Sequence, residues 1–483
     1  MGNWVSFFSS NLIILNHQSP ITNHQSSIIN HQSSIINYQS PNVMKLSRRK
    51  ILTSFGVAAS TLLLNNCTSR TLSNQPFQIN ADAQASDIPE VQSVRLGLIP
   101  SIEIAPLLVA KSKKLFAKYG MTDVELVPLR SWRNICDRTE IGTKLGKNNQ
   151  GIDGGHFYSP LPELLNEGLI NRHTSKTAMY VLMRLHTHGG YIVVSKRLKP
   201  FGIQLKRATF SPWQDIAKLF GKPMNGAIAE IGSNYDLWLR YWLASMDVIP
   251  QKSIDILEIP FDQIIPQVKQ NKADLLCLDS WHSLQLVEAN LADPAIAIGE
   301  IWRNYPGEIF AMRADWVDKY PISTQALIQA IMEAQIWCDD PANAQELDTI
   351  LALSFNDSRN LISQPIKIFA QLFKNSPKQK MRRLKIDSPT SIKYWSNDGI
   401  SVSYPYKSHD LWFLTEYRRW NDLPDDFETK EIIDAVNRED LWKNAAKAIG
   451  VPDTNIPIST SRGIETFFDG FKFDPERPIQ QEI

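Results

Sequence analysis

Short apolar runs alternate with amphipathic stretches from about residue 92 onward. Val94-Arg95-Leu96-Gly97-Leu98-Ile99 predicts a buried strand, and Ala105 to Tyr119 a helix ended by Gly120. Val124 to Leu129 predicts a second strand. Ile152-Asp153-Gly154-Gly155-His156 predicts a short strand and turn, Leu161 to Glu167 a helix stopped by Gly168, and Met179 to Leu185 another strand. A second unit repeats the alternation. It holds strand Tyr191 to Ser195, helix Ala208 to Gly221, strand Gly226 to Ile231, and helix Tyr235 to Met246 after a Gly232-Ser233-Asn234 turn. Strand Ile254 to Ile259, helix Gln263 to Gln270 and strand Ala273 to Leu278 follow. After about residue 310 the chain is expected to return to the first unit through a long helix, Thr324 to Asp339. The run Tyr404-Pro405-Tyr406-Lys407-Ser408-His409-Asp410-Leu411-Trp412-Phe413 is too apolar for a disordered tail, and predicts an appendage packed on that first unit.

Strand–helix alternation predicts an α/β protein with parallel sheets and crossover helices. The expected architecture has two lobes, each a doubly wound, mostly parallel sheet. Lobe one takes residues 91–190 and 311–483, and lobe two residues 191–310. Ligands of open parallel sheets bind beyond the carboxyl ends of the strands. Two lobes joined by crossing segments place those ends face to face, and a ligand held between them favours closure.

The first 90 residues have a different character. Asn-His-Gln-Ser-Ser-Ile-Ile occurs from Asn23 and again from Asn30, and this tract has no packable face. Residues 1–43 read as translated upstream sequence ahead of a start at Met44, or alternatively as a disordered extension. From there Ser47-Arg48-Arg49-Lys50 leads into an apolar run, Ile51 to Leu64, and then Leu64-Asn65-Asn66-Cys67. The run of 14 residues suits a signal h-region and is too short to span a bilayer. Residues 44–66 are therefore expected to be an export signal, its arginine pair suiting the twin-arginine route, and Cys67 the lipid-attachment residue. Asn66 departs from the small residue usual before such a cysteine. A buried core helix with a chance Arg-Arg is the plainer alternative. Residues 67–90 read as a tether between lipid and fold.

Charge and cysteine usage narrow the function classes. Residues 1–66 hold Lys45, Arg48, Arg49 and Lys50 and no acid, so the remainder carries 47 basic against 50 acidic residues, about −3. No basic block speaks for nucleic acid. About 417 residues remain, more than one core normally serves, which again favours two lobes. Cys136, Cys277 and Cys338 are scattered and form neither a disulfide framework nor a zinc pattern. Trp238 and Trp242, at helical spacing, predict core packing. The chain lacks a phosphate-binding Gly-x-x-x-x-Gly-Lys loop, a Gly-x-Ser-x-Gly elbow and a His-Glu-x-x-His helix, so an enzyme is not expected.

Several long runs resemble the nitrate- and bicarbonate-binding lipoproteins of cyanobacterial ABC transporters. They are Phe116 to Val124, Gly151 to His156, Asp236 to Trp242, Arg313 to Lys319, Tyr404 to Asp410 and Ser459 to Gly470. The likeness covers about residues 92–475, and the signal matches as well. It implies a periplasmic-binding-protein fold of type II, a C-clamp of two lobes. Such a receptor delivers a small oxyanion to a membrane permease and its ATPase. It would stand on the periplasmic side of the inner membrane, lipid-anchored, as a monomer without a cofactor.

The resemblance also nominates ligand-binding residues. Trp132, in Ser131-Trp132, matches an aromatic pocket wall suited to a flat anion, with simple core packing as the alternative. The turn before the Asp-Leu-Trp helix reads Ser233-Asn234-Tyr235, so that Tyr235 replaces the histidine of the nitrate binders. Tyrosine can donate one hydrogen bond but carries no positive charge near neutral pH. The turn is also an anion-site candidate in its own right, since helix N-terminal amides favour negative charge, although Asn234 could equally be an ordinary N-cap. Asp279-Ser280-Trp281-His282 stands where nitrate binders carry Lys and bicarbonate binders Glu. Asp279 or Ser280 takes that position, where an acid would hold a partner cation; the alternative for both is a helix cap. The Asn-Gly-Gln region of the family is replaced by His188-Gly189-Gly190-Tyr191, with Gly190 as a site candidate, and the Asp of its first loop by Glu103. His156, after a Gly-rich strand end, is a ligand contact or a satisfied core histidine. His186 and His188 share one face if extended, but no third metal ligand is apparent. The implied cargo is nitrate or nitrite. Bicarbonate or another small anion is the alternative, with a divalent cation as possible helper, as is a sensor subunit with an altered pocket.

Overall fold

The computed structural model describes residues 88–143, 150–201, 224–246, 248–250, 254–356, 392–421, 423–424 and 426–478. The expected leader, Cys67, most of the tether and the expected helix Ala208 to Gly221 lie outside the described residues.

Two five-stranded sheets organise the described chain. The first contains β1 (Ser93–Leu98), β2 (Asp123–Pro128), β3 (Gly154–Phe157), β4 (Met179–Arg184) and β10 (Ile309–Arg313), in the order β2-β1-β3-β10-β4. The second contains β5 (Tyr191–Ser195), β6 (Met224–Ile228), β7 (Ile254–Glu258), β8 (Leu275–Leu278) and β9 (Ala292–Ala297), in the order β7-β6-β8-β5-β9. β1 runs parallel to β2 and β3, and β6 parallel to β7 and β8. One strand in each sheet runs against its neighbours: β10 between β3 and β4, and β5 between β8 and β9. Both are the strands that arrive directly from the other sheet. A chain crossing between the sheets enters its new sheet head-on, which explains why these two break the parallel rule. The result is the two-lobed α/β fold of periplasmic binding proteins.

Two segments cross between the sheets, residues 185–190 and 302–308, and they are bonded to each other. Leu185 N donates to Glu308 O at 2.8 Å and Gly307 N to His186 O at 2.9 Å. The Thr187 hydroxyl donates to Tyr305 O at 2.6 Å. A Cβ at Gly307 would come within 2.5 Å of His186, so only glycine allows this approach.

Most elements begin and end within a residue or two of the sequence expectation. The helix expected over Ala105 to Tyr119 is broken into Ala105–Ser112 and Leu115–Lys118, with Lys114 in the left-handed region at φ 57°. The break turns Phe116 and Tyr119 into the core, so tertiary burial overrides the continuous helical pattern. Helix Trp132–Ile141 and strand β9 were not anticipated, while helix Ser280–Glu288 follows the cap reading of Asp279. The long helix is Pro321–Asp339, and it packs on helices Ala105–Ser112 and Glu439–Ala448.

The C-terminal appendage packs on the first sheet through helices Thr429–Val436 and Glu439–Ala448 against β4. It also reaches further than expected. Helix Lys407–Trp420 lies on helix Asn234–Ala244, which follows β6 of the second sheet. Trp238, Trp242, Trp302 and Trp412 are all fully buried.

Candidate functional site

The carboxyl ends of the first strands and the two crossings converge on one buried polar cluster. Trp132 opens helix Trp132–Ile141, whose first turn is fixed by Asn134 N donating to the Ser131 hydroxyl at 3.2 Å. His156 stands on β3 opposite Phe310 of β10. Its ring meets Trp132 edge-on, with centroids 4.7 Å apart. Tyr158 lies tilted against Trp132 at 3.6 Å and meets Tyr235 edge-on at 5.1 Å. Trp132, His156 and Tyr235 are thus brought together. Gly190 is beside them, because a Cβ there would lie 2.7 Å from the Tyr235 ring.

At the centre stands Glu308, from the second crossing. Its Oε2 meets His156 Nε2 at 2.8 Å and His186 Nε2 at 3.0 Å, while the Tyr235 hydroxyl donates to Oε1 at 3.3 Å. Burial pushes this carboxyl up, but the two imidazoles outweigh that effect and hold it down at about 2. It is therefore an anion at neutral pH. It was not anticipated from the sequence. Its only signal is an acid directly before the apolar strand Ile309 to Met312, at the end of a crossing.

Glu103 is the opposite case. Its Oε1 accepts from Ser280 N at 3.0 Å, and its Oε2 has no partner. Burial first, then Asp279 and Glu308, raise its carboxyl well above the usual range, so it stays a neutral acid. Burial likewise lowers His188 to about 4, which leaves that ring uncharged at neutral pH.

The remaining candidates are committed to backbone roles. Ser233, rather than Asn234, is the helix N-cap, its hydroxyl accepting from Asp236 N at 3.4 Å. Asn234 Oδ1 accepts from Tyr235 N at 3.0 Å, so part of this helix terminus is already satisfied by its own side chains. Asp279 caps helix Ser280–Glu288, accepting from His282 N at 2.9 Å and meeting His282 Nδ1 at 2.6 Å. Both its oxygens are occupied. The Ser280 hydroxyl donates to Gly189 O. Among the described residues there is no group of three His, Cys, Asp or Glu side chains placed to hold a metal ion.

Four polar atoms in and beside the cluster are buried without a partner: Trp132 Nε1, His156 Nδ1, Glu103 Oε2 and, on the first crossing, His188 Nδ1. Buried polar groups are nearly always paired, so this combination marks a place for a small polar guest. Trp132 Nε1 and a neutral Glu103 each supply a donor, which suits the oxygens of an anion.

The sequence profile of the NMT1-like family matches residues 87–352. The nitrate/nitrite binding protein NrtA of Nostoc sp. is 38% identical over 443 residues, covering 90% of this chain and 97% of that one. The bicarbonate-binding protein CmpA of Synechococcus elongatus is 36% identical over 448 residues, covering 90% and 96%. The crystal structure of the periplasmic nitrate-binding protein NrtA from Synechocystis superposes with a TM-score of 0.70 at 38% identity, covering 81% of this chain and 98% of that one. A family profile spanning more than half of the chain, together with these near full-length likenesses, means that this chain belongs to the NMT1-like family and, within it, to the group formed by NrtA and CmpA.

Proposed function

We propose that this chain is the periplasmic receptor of an ABC importer for a small oxyanion, with nitrate or nitrite as the favoured cargo. The two sheets are the cores of two lobes, residues 91–190 with 311–483 and residues 191–310. The anion is held between them against Trp132, and the closed form docks on a permease that works with an ATPase. The receptor is a monomer, tethered to the membrane through Cys67. One observation carries the binding role: Trp132 Nε1, His156 Nδ1 and Glu103 Oε2 are buried without partners where both crossings meet the first sheet.

Bicarbonate is the second reading, and the acids of the cluster favour it. Nitrate can only accept hydrogen bonds, whereas bicarbonate also donates one, which Glu308 could receive. A helper cation at Asp279 would have to share oxygens that already meet His282 N and Nδ1.

The test is thermal unfolding of the purified protein against nitrate, nitrite, bicarbonate with and without calcium, cyanate and organic sulfonates. A ligand of the folded state raises the melting temperature by mass action. A rise with nitrate or nitrite supports the first reading, and a rise with bicarbonate alone supports the second. No rise with any of them, repeated by calorimetry, rejects both.

A further inference from the structure

The cluster poses a charge problem for any anion. None of the described hydrogen-bond partners of Glu103, His156, His186, Tyr235 or Glu308 is a lysine or arginine. Glu308 is already an anion at the centre. Bringing a second negative charge into a buried site is strongly unfavourable unless an opposite charge meets it.

The imidazoles offer the way out. His186 Nδ1 faces His188 O at 2.9 Å, a carbonyl that can only accept, so this nitrogen carries a proton. His186 Nε2 lies 3.0 Å from Glu308 Oε2 and 3.2 Å from Glu308 N. That nitrogen therefore has an acceptor waiting if it is protonated and a donor waiting if it is not. His156 Nε2 faces only the carboxylate, at 2.8 Å, and must donate to it. In a neutral His156 ring the other nitrogen, Nδ1, is then a bare lone pair. It is buried and unpartnered, in a ring 4.7 Å from that of Trp132, whose own Nε1 is unpartnered. An anion placed there would meet a lone pair. It becomes a charge-assisted donor only when a proton is added.

We propose that anion capture is coupled to uptake of about one proton from solvent, which comes to rest on His156 Nδ1. Glu308 fixes the ring by accepting from Nε2, and the imidazolium that forms balances the bound anion. The other titratable groups facing this centre are Glu103, Tyr158, His188, Tyr235, Asp279 and Tyr305. Glu103 and the three tyrosines stay neutral because burial raises all of them, and His188 is held uncharged. Asp279 is bound to His282. None of these groups is as well placed to take up the proton, and on His186 the proton would face Glu308, both nitrogens of that ring being already partnered, whereas His156 Nδ1 is open to the anion. The inference rests on the oxyanion-receptor reading.

The experiment is titration calorimetry of the full chain with nitrate in buffers of different ionisation enthalpy, from about pH 6 to about pH 9. Nitrate is fully ionised there, so any proton exchanged belongs to the protein. If nitrate does not bind, bicarbonate replaces it with its own ionisation heat subtracted. The expected result is uptake of about one proton per anion, and affinity falling about tenfold per pH unit on the alkaline side. His156→Gln, which keeps a donor toward Glu308 but cannot ionise, should bind more weakly, with no proton uptake and no pH slope. Nitrogen-15 spectra of the wild-type histidines, read with and without the anion, give the same answer without a variant: His156 should shift to the imidazolium pattern. Anion binding without proton uptake would overturn the inference and leave the receptor reading standing. Equal uptake in His156→Gln would overturn the assignment to His156. A folded protein that binds neither anion at any pH would overturn both.

Discussion

Trp238 and Trp412 stack face to face, their ring centroids 4.4 Å apart and their planes 21° apart. Trp238 belongs to the helix after β6 of the second sheet, while Trp412 belongs to the C-terminal appendage. The contact therefore ties the tail of the chain to the sheet it was not expected to touch. Trp302, on the second crossing, joins the same aromatic group, with its ring 5.2 Å from Trp412 and its Nε1 donating to Glu465 at 2.9 Å.

Removing that stack should be costly. Trp412→Ala is expected to lower unfolding free energy by about 3–5 kcal/mol, the usual loss for a large buried aromatic. Denaturant unfolding reads this directly. A change under about 1 kcal/mol would mean that the appendage contributes little to holding the second sheet's helix.

Glu308 makes the fold sensitive to strong acid. Its carboxyl sits at about 2 in the folded chain, against an unfolded value of about 4.3. A depressed carboxyl gives stability that is present above the unfolded value and lost as pH falls through the folded one. The loss should therefore appear between about pH 4 and about pH 2, on the order of 3 kcal/mol. Glu308→Gln should show a smaller loss over that interval. Melting temperatures of both proteins through that window test it, and parallel curves would deny Glu308 the role.

The sequence shows the scaffold more clearly than the chemistry. β1 and β5 stand out because a strand buried on both faces must be an unbroken apolar run, as Leu96-Gly97-Leu98 and Ile192-Val193-Val194 are. The break at Lys114 is invisible, because only the burial of Phe116 and Tyr119 from outside the helix dictates it. Trp132 and Tyr235 were reachable through likeness to a known pattern, and they do lie in one cluster. Glu308 was not, since a lone acid in a crossing segment has no period or spacing to betray it. Its importance comes from His156 and His186, which are 152 and 122 residues away along the chain. Asp279 stayed open between two readings for a related reason: an acid opening a helix serves as a cap as readily as a ligand, and here it caps helix Ser280–Glu288.

Glu163 should destabilise the fold on the alkaline side. Both its oxygens are buried without partners, and burial first, then Asp410, push its carboxyl up to about 8. A raised carboxyl keeps its stability below the unfolded value, then loses it as pH rises toward the folded one. The slope is roughly 1.4 kcal/mol per pH unit from about pH 4.5 to about pH 8. Glu163→Gln is neutral throughout and should escape this slope, so it should be the more stable protein at pH 8 by a margin that vanishes near pH 4. Unfolding at the two pH values checks the sign. Greater stability of the wild type at pH 8 would contradict it.

Trp132 separates binding from folding. Its ring is packed against His156 and Tyr158, and its Nε1, beside the Tyr158 hydroxyl, makes no hydrogen bond of ordinary geometry. Trp132→Phe keeps an aromatic wall and removes that donor. Loss of an unpaired buried donor relieves the folded state slightly, so the melting temperature of the ligand-free protein should hold or rise. The bound anion, by contrast, loses a hydrogen bond to a charged acceptor, worth about 1.5–3 kcal/mol, so its affinity should fall roughly tenfold to a hundredfold. Calorimetry with nitrate or bicarbonate and a melting curve without ligand measure the two sides on one variant. Unchanged affinity in a folded Trp132→Phe protein would remove the indole nitrogen from the site. A large fall in the ligand-free melting temperature would instead make Trp132 a core residue whose indole shape matters.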